Sequence, residues 1–274
     1  MTAGRSSSPF DLSDDVAVVT GGCGKLGPIW SSALLEAGAV VYSVDLPGAL
    51  ATPALEALQL RFQDRLRLRD GDVTDRASLE RLLRDVDATS GGVTVLVNNA
   101  GIDQPPSERA GNHRIEDITA DTFRRVVEVN LVGAFQASQV FGSAMASVGR
   151  GSIVNIGSLY ASHSPDNRYY DHILADPPFI KPPAYGASKA ALVNLTRYLA
   201  THWAPKGIRV NALSPGGVLG NQDEGFRRKF TARVPLGRMA LPADLVGPLV
   251  FLASDASRYV TGIDLLVDGG YSAW

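Results

Sequence analysis

The chain has 274 residues, of which 45% are hydrophobic and 20% charged, and its formal net charge is −2. This composition is that of an ordinary soluble protein with enough apolar residues for a large core, and it lacks the basic block expected of a nucleic-acid-binding or anionic-membrane-binding protein. The single cysteine, Cys23, excludes an internal disulfide and is typical of a reducing compartment.

The first residues of the chain do not resemble a targeting segment. Residues 1–12 lack the apolar run of a signal peptide, and no uncharged apolar stretch approaches the ~20 residues that span a bilayer. We therefore expect a flexible tail over residues 1–12 and one domain over residues 13–274, in a cytoplasmic protein. A small-molecule substrate is expected, with no nucleic-acid partner and no membrane partner.

Short apolar runs alternate with longer stretches at helical spacing along the chain. The predicted strands are residues 16–20, 40–45, 66–73, 93–100, 152–158, 208–215 and 264–268. The predicted helices lie between them, at residues 26–37, 53–64, 75–87, 120–147, 185–203 and 242–254. This alternation predicts a single-domain α/β fold, a Rossmann-like doubly wound parallel sheet of about seven strands flanked by helices. Ligands of such sheets bind at the carboxyl ends of the strands.

A glycine-rich segment, TGGCGKLG at residues 20–27, follows the first predicted strand and leads into the first helix. Glycines here let the backbone approach a pyrophosphate at the helix N-terminus, although a purely structural turn is the alternative. The second predicted strand ends in Asp45, 24 positions after Gly21. A carboxylate there accepts hydrogen bonds from the ribose hydroxyls and repels a 2′-phosphate. The pattern favours NAD over NADP, while Lys25 is a cation that could meet the 2′-phosphate of NADP.

The segment PPAYGASKAA, residues 182–191, places Tyr185 and Lys189 four positions apart on one face of a predicted helix. A free tyrosine has a pKa of about 10, and a nearby cation lowers that pKa by stabilising the phenolate. The spacing therefore indicates a tyrosine that exchanges a proton. Two polar side chains that face solvent are the alternative.

Over roughly residues 14–271 the chain resembles the short-chain dehydrogenase/reductase family. The motifs that carry the resemblance, in the order of the family, are TGGCGKLG (20–27), NNAG (98–101), Asn130 in VNLVGAF, Ser158 in IVNIGS, YGASK (185–189), SPGG (214–217) and TGIDLLVDGG (261–270). The resemblance implies a single Rossmann-like domain, assembled as a homo-oligomer, either a tetramer or a dimer.

The resemblance also implies roles for site residues. The family's catalytic tetrad falls on Asn130, Ser158, Tyr185 and Lys189. Tyr185 would exchange the hydroxyl proton and Ser158 would hydrogen-bond the substrate oxygen. Lys189 would lower the pKa of the tyrosine and hold the nicotinamide ribose, and Asn130 would hold a water that relays protons. The predicted cofactor contacts are Gly21, Gly24, Lys25, Leu26, Gly27, Asp45, Leu46, Asp72, Val73, Asn99, Ala100, Gly101, Tyr185, Lys189, Pro215, Gly216 and Val218.

Three features depart from the family pattern. Lys25 stands where glycine is usual, so that the loop matches the TGxxGxxG spacing of sugar-nucleotide epimerases. Ser158 and Tyr185 are 27 positions apart, roughly twice the family spacing. Gly220 lies near the place of a usual threonine after the SPGG motif, where backbone groups or Asn221 would substitute for it.

The inserted segment, residues 159–184, is rich in aromatic residues and prolines. A loop of this length inside a compact domain is usually functional or disordered, and its composition disfavours disorder. Because it joins the serine to the tyrosine, we predict a flap that shapes the substrate site, with a subunit contact as the alternative. Its histidines, His163 and His172, have no third ligand at suitable spacing, so no metal site is predicted.

A second loop, residues 215–241, is the other predicted substrate element. Its segment EGFRRKF places Phe226 and Phe230 four positions apart on a short helix. The predicted substrate contacts in the two loops are Tyr160, Asn221 and Gln222.

These patterns together predict an NAD-dependent oxidoreductase that transfers hydride between nicotinamide and a secondary alcohol or ketone. The polar loops favour a sugar-like or cyclitol-like substrate, and they resemble a sugar-biosynthesis subset of the family linked to surface-glycan and flagellar-sugar pathways. Two alternatives remain. One is a sugar epimerase or dehydratase that retains tightly held NAD, and the other is a non-catalytic NAD-binding regulator, which an intact tetrad disfavours.

Overall fold

A computed structural model of the chain describes residues 8–103 and 114–274. Within these ranges one sheet contains all seven strands, with neighbours paired in parallel in the order β3-β2-β1-β4-β5-β6-β7. The strands are β1 (Val16–Thr20), β2 (Val40–Asp45), β3 (Leu66–Asp70), β4 (Val95–Asn98), β5 (Gly151–Ile156), β6 (Ile208–Pro215) and β7 (Asp264–Val267). This arrangement confirms the predicted Rossmann-like fold.

The helices connect successive strands. In the described part of the chain they are α1 (Gly27–Glu36), α2 (Pro53–Arg61), α3 (Arg76–Ser90), α4 (Ala120–Val127), α5 (Ala134–Val148), α6 (Pro183–Trp203), α7 (Glu224–Thr231) and α8 (Pro242–Ala253). The predicted helix 120–147 is divided, because a π-helical stretch, Glu128–Gly133, joins α4 to α5. Such widened turns often occur at functional sites, and this one contains Asn130.

Both faces of the sheet are covered, as the nearly continuous apolar strands require. On one face α1 and α8 pack through side chains that include Trp30, Leu34 and Leu249. On the other face α3 and α5 pack through side chains that include Leu79 and Phe141. The carboxyl edge of the sheet is thereby left to the loops that follow the strands.

Trp30 links this core to the loop after β4. The residue is fully buried, and its indole N–H donates to Asn99 Oδ1 at 2.8 Å. We expect Trp30→Phe to lower the free energy of unfolding by about 1–3 kcal/mol, because phenylalanine leaves that acceptor unpaired. Chemical denaturation followed by circular dichroism measures the loss. Trp274→Phe, at a tryptophan that is 72% exposed, is the matched control, and equal losses in the two variants would contradict the assignment.

The N-terminal segment is ordered earlier than expected. Leu12 is fully buried and its N–H donates to the carbonyl of Ala37. The carbonyl of Pro9 accepts a hydrogen bond from the N–H of Ala256. The predicted flexible tail over residues 1–12 is therefore too long, since its last residues pack on the domain, while residues 1–7 lie outside the described ranges.

The insertion, residues 159–184, packs against α7 and the C-terminal residues through an apolar cluster separate from the sheet core. Phe226 and Phe230 lie on one face of α7, as predicted, and both are buried. Tyr169 contacts both phenylalanine rings edge-on, and its hydroxyl hydrogen-bonds that of Tyr271 at 2.8 Å. His172 adds a 2.5 Å contact to Asp223, the residue that caps α7. The insertion and α7 thus form one packed roof.

No helix in the described ranges is long and apolar enough to cross a membrane.

Candidate active site

The loops after four strands converge at the carboxyl edge of the sheet. Strand order reverses between β1 and β4, which is the point where doubly wound sheets bind their ligands. The glycine loop follows β1, and residues 99–103 follow β4. Ser158 follows β5, and Pro215 ends β6.

The glycine loop is held tightly against the loop after β4. Gly21 has a φ of +67°, and a Cβ atom on it would lie 2.8 Å from the Cα of Ala100. Thr20 Oγ1 accepts the N–H groups of Asn99 and Ala100, both at 3.1 Å. The side-chain amide of Asn99 donates to the carbonyls of Thr20 and Gly21 at 3.0 and 2.9 Å. These contacts shape a backbone cradle that a side chain at position 21 would fill.

Asp45 and Lys25 lie on this cradle with different partners. The Asp45 carboxylate accepts the N–H groups of Cys23 and Leu46, each at 2.8 Å, which fixes it at the end of β2. Lys25 Nζ donates to the carbonyl of Val218 at 3.1 Å. Lys25, the cation that could meet a 2′-phosphate, therefore binds a backbone carbonyl in the loop after β6.

The remaining predicted cofactor residues line the same edge. Asp72 Oδ1 accepts from the N–H and hydroxyl of Thr74, and Val73 packs against Gly133. A Cβ atom on Gly216 would lie 2.7 Å from the Cα of Asp268, so the close approach of the two segments requires glycine there. A glycine cradle at a helix N-terminus with a carboxylate at the end of β2 fits a nicotinamide dinucleotide.

Tyr185 and Lys189 lie one turn apart on α6. The helix begins at Pro183, two residues before the predicted start, because proline is favoured in the first turn. Lys189 Nζ lies 5.9 Å from the centroid of the Tyr185 ring and donates to the carbonyl of Ile156 at 2.7 Å. Burial lowers the pKa of Lys189 to about 8, against the opposing charge of Asp103. The lysine is thus buried within the site, and the solvent-facing alternative does not describe it.

The chain's own groups leave the pKa of Tyr185 above its ordinary value. Burial raises this pKa, the charge of Asp103 raises it further, and hydrogen bonding with Ser158 lowers it. The sequence predicted a net lowering by Lys189. The direction differs because removal of the phenol from water outweighs the local stabilisation of its anion.

Ser158 and Asn130 complete the predicted tetrad. The Ser158 hydroxyl accepts the N–H of Tyr160 at 3.1 Å, so the serine caps a short 3₁₀ helix while it lies beside Tyr185. The Asn130 side chain exchanges hydrogen bonds of 2.7 and 3.1 Å with the backbone of Ile102 and donates to Ser188 Oγ at 3.0 Å. It therefore ties the loop after β4 to α6, and its predicted water relay stays a prediction.

The three predicted substrate residues differ in their exposure and in their contacts. Tyr160 is half-buried at the start of the insertion, with its carbonyl close to Gly186 in the first turn of α6. Gln222 bonds the backbone of its own loop, to the N–H of Gly220 and the carbonyl of Val218. Asn221 beside it is exposed. The two hydrogen bonds of Gln222 stabilise the loop at residues 218–222, and its contact with substrate stays a prediction.

One pair of site residues was missed from the sequence. Asp103, five positions after β4, forms an ion pair with Lys181, which lies at the end of the insertion. Lys181 Nζ is also 5.1 Å from the centroid of the Tyr185 ring. The available signal was a lysine set among apolar residues and prolines in FIKPPAY, but its partner is 78 positions away. Within the described ranges no group of three or more metal-ligating side chains is assembled.

A dinucleotide cradle beside a buried tyrosine–lysine pair defines an NAD(P)-dependent dehydrogenase or reductase. A family model described as enoyl-(acyl carrier protein) reductase matches residues 26–272. The chain belongs to the short-chain dehydrogenase/reductase family, as the motifs indicated.

Known relatives match over nearly their whole length. A galactitol 2-dehydrogenase from Rhizobium johnstonii is 37% identical, over 97% of this chain and 98% of its own. A gluconate 5-dehydrogenase from Burkholderia cenocepacia, solved with NADP and tartrate, superposes with a TM-score of 0.82 at 29% identity, covering 97% of this chain and 98% of its own. A short-chain dehydrogenase from Leptospira borgpetersenii with bound NAD⁺ gives 0.82 at 32% identity, covering 99% and 98%. These relatives give no support to the predicted sugar-biosynthesis subset.

Proposed function

We propose that this protein is a polyol dehydrogenase that oxidises a secondary hydroxyl to a ketone with NAD as its preferred cofactor. The observation that carries the proposal is the approach of Tyr185 to Ser158 beside the dinucleotide cradle, next to a half-exposed carboxylate. The likeness to dehydrogenases of galactitol and gluconate supports a hydroxylated substrate.

Each reacting group has a stated role in this proposal. When bound, the oxidised nicotinamide supplies the hydride acceptor and a positive ring. Tyr185 removes the proton of the substrate hydroxyl as the C–H hydride leaves, and Ser158 hydrogen-bonds the same oxygen. Lys189, fixed by the Ile156 carbonyl, places positive charge beside the phenolate that Tyr185 carries before it accepts the proton. In the reverse direction Tyr185 returns the proton.

Asp45 supports the choice of NAD. Its carboxylate is fixed at the end of β2, where a 2′-phosphate would meet like charge. Lys25, the cation that would offset this repulsion, donates to the Val218 carbonyl across the cleft. Solved relatives hold either NADP or NAD⁺. The preference for NAD is therefore supported by the local charge of this chain.

The roof formed by the insertion and α7 is inferred to close the substrate side of the site. Tyr160 and Lys181 lie near the two ends of the insertion; the Tyr160 carbonyl is close to Gly186, and Lys181 Nζ lies 5.1 Å from the centroid of the Tyr185 ring. We further infer a cytoplasmic homotetramer, supported by the family and by apolar side chains left exposed near the C-terminus, Leu266 and Trp274.

The test is absorbance at 340 nm with galactitol and other polyols, each with NAD and with NADP. NADH is expected to form, and kcat/KM is expected to favour NAD about tenfold or more. Asp45→Ser should abolish that preference, whereas Asp70→Ser, at the paired end of β3, should leave it unchanged. Preference for NADP would contradict the assignment of Asp45. Retained NAD without net NADH would favour the epimerase alternative, and NAD binding without turnover would favour a regulator.

A further inference from the structure

Asp103 and Lys181 form an ion pair in which the two partners face different surroundings. The Lys181 side chain is 5% exposed and the Asp103 side chain is 44% exposed. The backbone N–H of Lys181 donates to Asn167 Oδ1 at 3.3 Å, which anchors it to a short 3₁₀ helix of the insertion. The ammonium group is therefore buried, while nearly half of the carboxylate side chain is exposed.

The charge of Asp103 reaches both the cofactor side and the substrate side of the site. Burial raises the pKa of Tyr160, Tyr170 and Tyr185 and lowers that of Lys25 and Lys189. The negative charge of Asp103 acts on five of these groups, Lys25, Tyr160, Tyr170, Tyr185 and Lys189. The contacts agree with this reach, because the carboxylate of Asp103 pairs with Lys181 and the Lys181 ammonium lies 5.1 Å from the centroid of the Tyr185 ring.

The chemistry of a half-exposed carboxylate limits what can cover it. A carboxylate has about four lone-pair sites, so one ammonium partner leaves capacity for further donors. An apolar substrate over it would remove water without replacing the hydrogen bonds. A substrate carboxylate would meet like charge. Lys25 and Lys189 donate to the carbonyls of Val218 and Ile156, which directs those cations towards other parts of the site.

We propose that Asp103, held in place by Lys181, is a hydroxyl-recognition site that selects an uncharged polyol over the matching aldonate. The inference rests on the proposed polyol dehydrogenase function and names the substrate class within it. Asp103 accepts hydrogen bonds from hydroxyls next to the reacting carbon. Lys181 fixes the direction of the carboxylate through the ion pair.

Calorimetric titration tests this selection without turnover. Galactitol and galactonate, which differ at C1, are titrated into Tyr185→Phe protein saturated with NAD. Galactitol is expected to bind about tenfold more tightly than galactonate, the effect of hydrogen bonds to a charged group. Asp103→Asn in the same background is expected to reduce that ratio about tenfold, mainly by weakening galactitol. Thermal unfolding of both proteins confirms that they are folded.

Asp171→Asn is the matched control, because it removes a different lysine-paired carboxylate, which lies in the insertion and pairs with Lys229. The ratio of galactitol affinity to galactonate affinity in this variant should equal that of the Tyr185→Phe protein. An unchanged ratio in Asp103→Asn overturns the proposal, as does binding of neither ligand. Tighter binding of galactonate than of galactitol, lost in Lys181→Met, also overturns the proposal, since Lys181 would then bind the substrate carboxylate. Absence of NADH from the wild-type protein with polyols instead refutes the proposed function.

Discussion

Tyr185→Phe is expected to lower kcat/KM for polyol oxidation about 10²–10⁴-fold, the range for loss of a general acid–base group. The phenolate oxygen of Tyr185 accepts the hydroxyl proton, and phenylalanine keeps the ring and removes only that oxygen. Affinity for NAD should stay within about twofold, because the glycine cradle and Asp45 are untouched. Steady-state kinetics at 340 nm and calorimetric titration with NAD measure the two quantities.

Tyr198→Phe is the matched control for this variant. Tyr198 lies on the same helix and is 65% exposed, so the same deletion there should leave both kcat and KM unchanged. Substantial activity in Tyr185→Phe, above one tenth of the wild type, would remove the tyrosine from the proton transfer.

Lys189→Met is expected to lower kcat/KM on the order of 10²-fold and to move its acid limb to higher pH. The pKa of Tyr185 is already raised by burial and by Asp103, and hydrogen bonding with Ser158 works against that rise. Lys189 Nζ lies 5.9 Å from the centroid of the ring, close enough to stabilise a phenolate when the lysine is charged. Loss of one cation makes the phenolate less favourable, so deprotonation needs a higher pH. Burial lowers the pKa of Lys189 to about 8, so the lysine is cationic below that pH.

The measurement is a pH profile of kcat/KM for the wild type and the variant. Lys206→Met, at an exposed lysine just after α6, supplies the control for loss of a positive charge and should keep the wild-type profile. A lower rate with an unmoved acid limb would show that Lys189 acts through the cofactor ribose alone.

The sequence predicted most of what local patterns specify. Strand runs and the glycine loop identified the sheet, because parallel strands buried on both faces are apolar along their whole length. Tyr185 and Lys189 were predicted from a spacing of four, since helical periodicity alone brings such residues to one face. The order of the motifs then indicated the site, because most of them follow strands whose carboxyl ends lie at the same edge of the sheet.

Local sequence was less informative where a side chain has competing partners. Gln222 was predicted to contact substrate, which stays a prediction, and its amide bonds its own loop, which was not foreseen. The tail was drawn to residue 12, yet Leu12 is buried against the domain. In both places the residue forms contacts in the folded chain that the local sequence pattern does not indicate.

The sequence by itself therefore determined the class of fold, the dinucleotide cradle and the tyrosine–lysine pair, all of which depend on spacing within one element or one strand–helix junction. The tertiary structure decided the upward shift of the Tyr185 pKa, the roof of the insertion on α7 and the pairing of Asp103 with Lys181. Burial and charge pairing join residues far apart in the chain, so no local pattern records them.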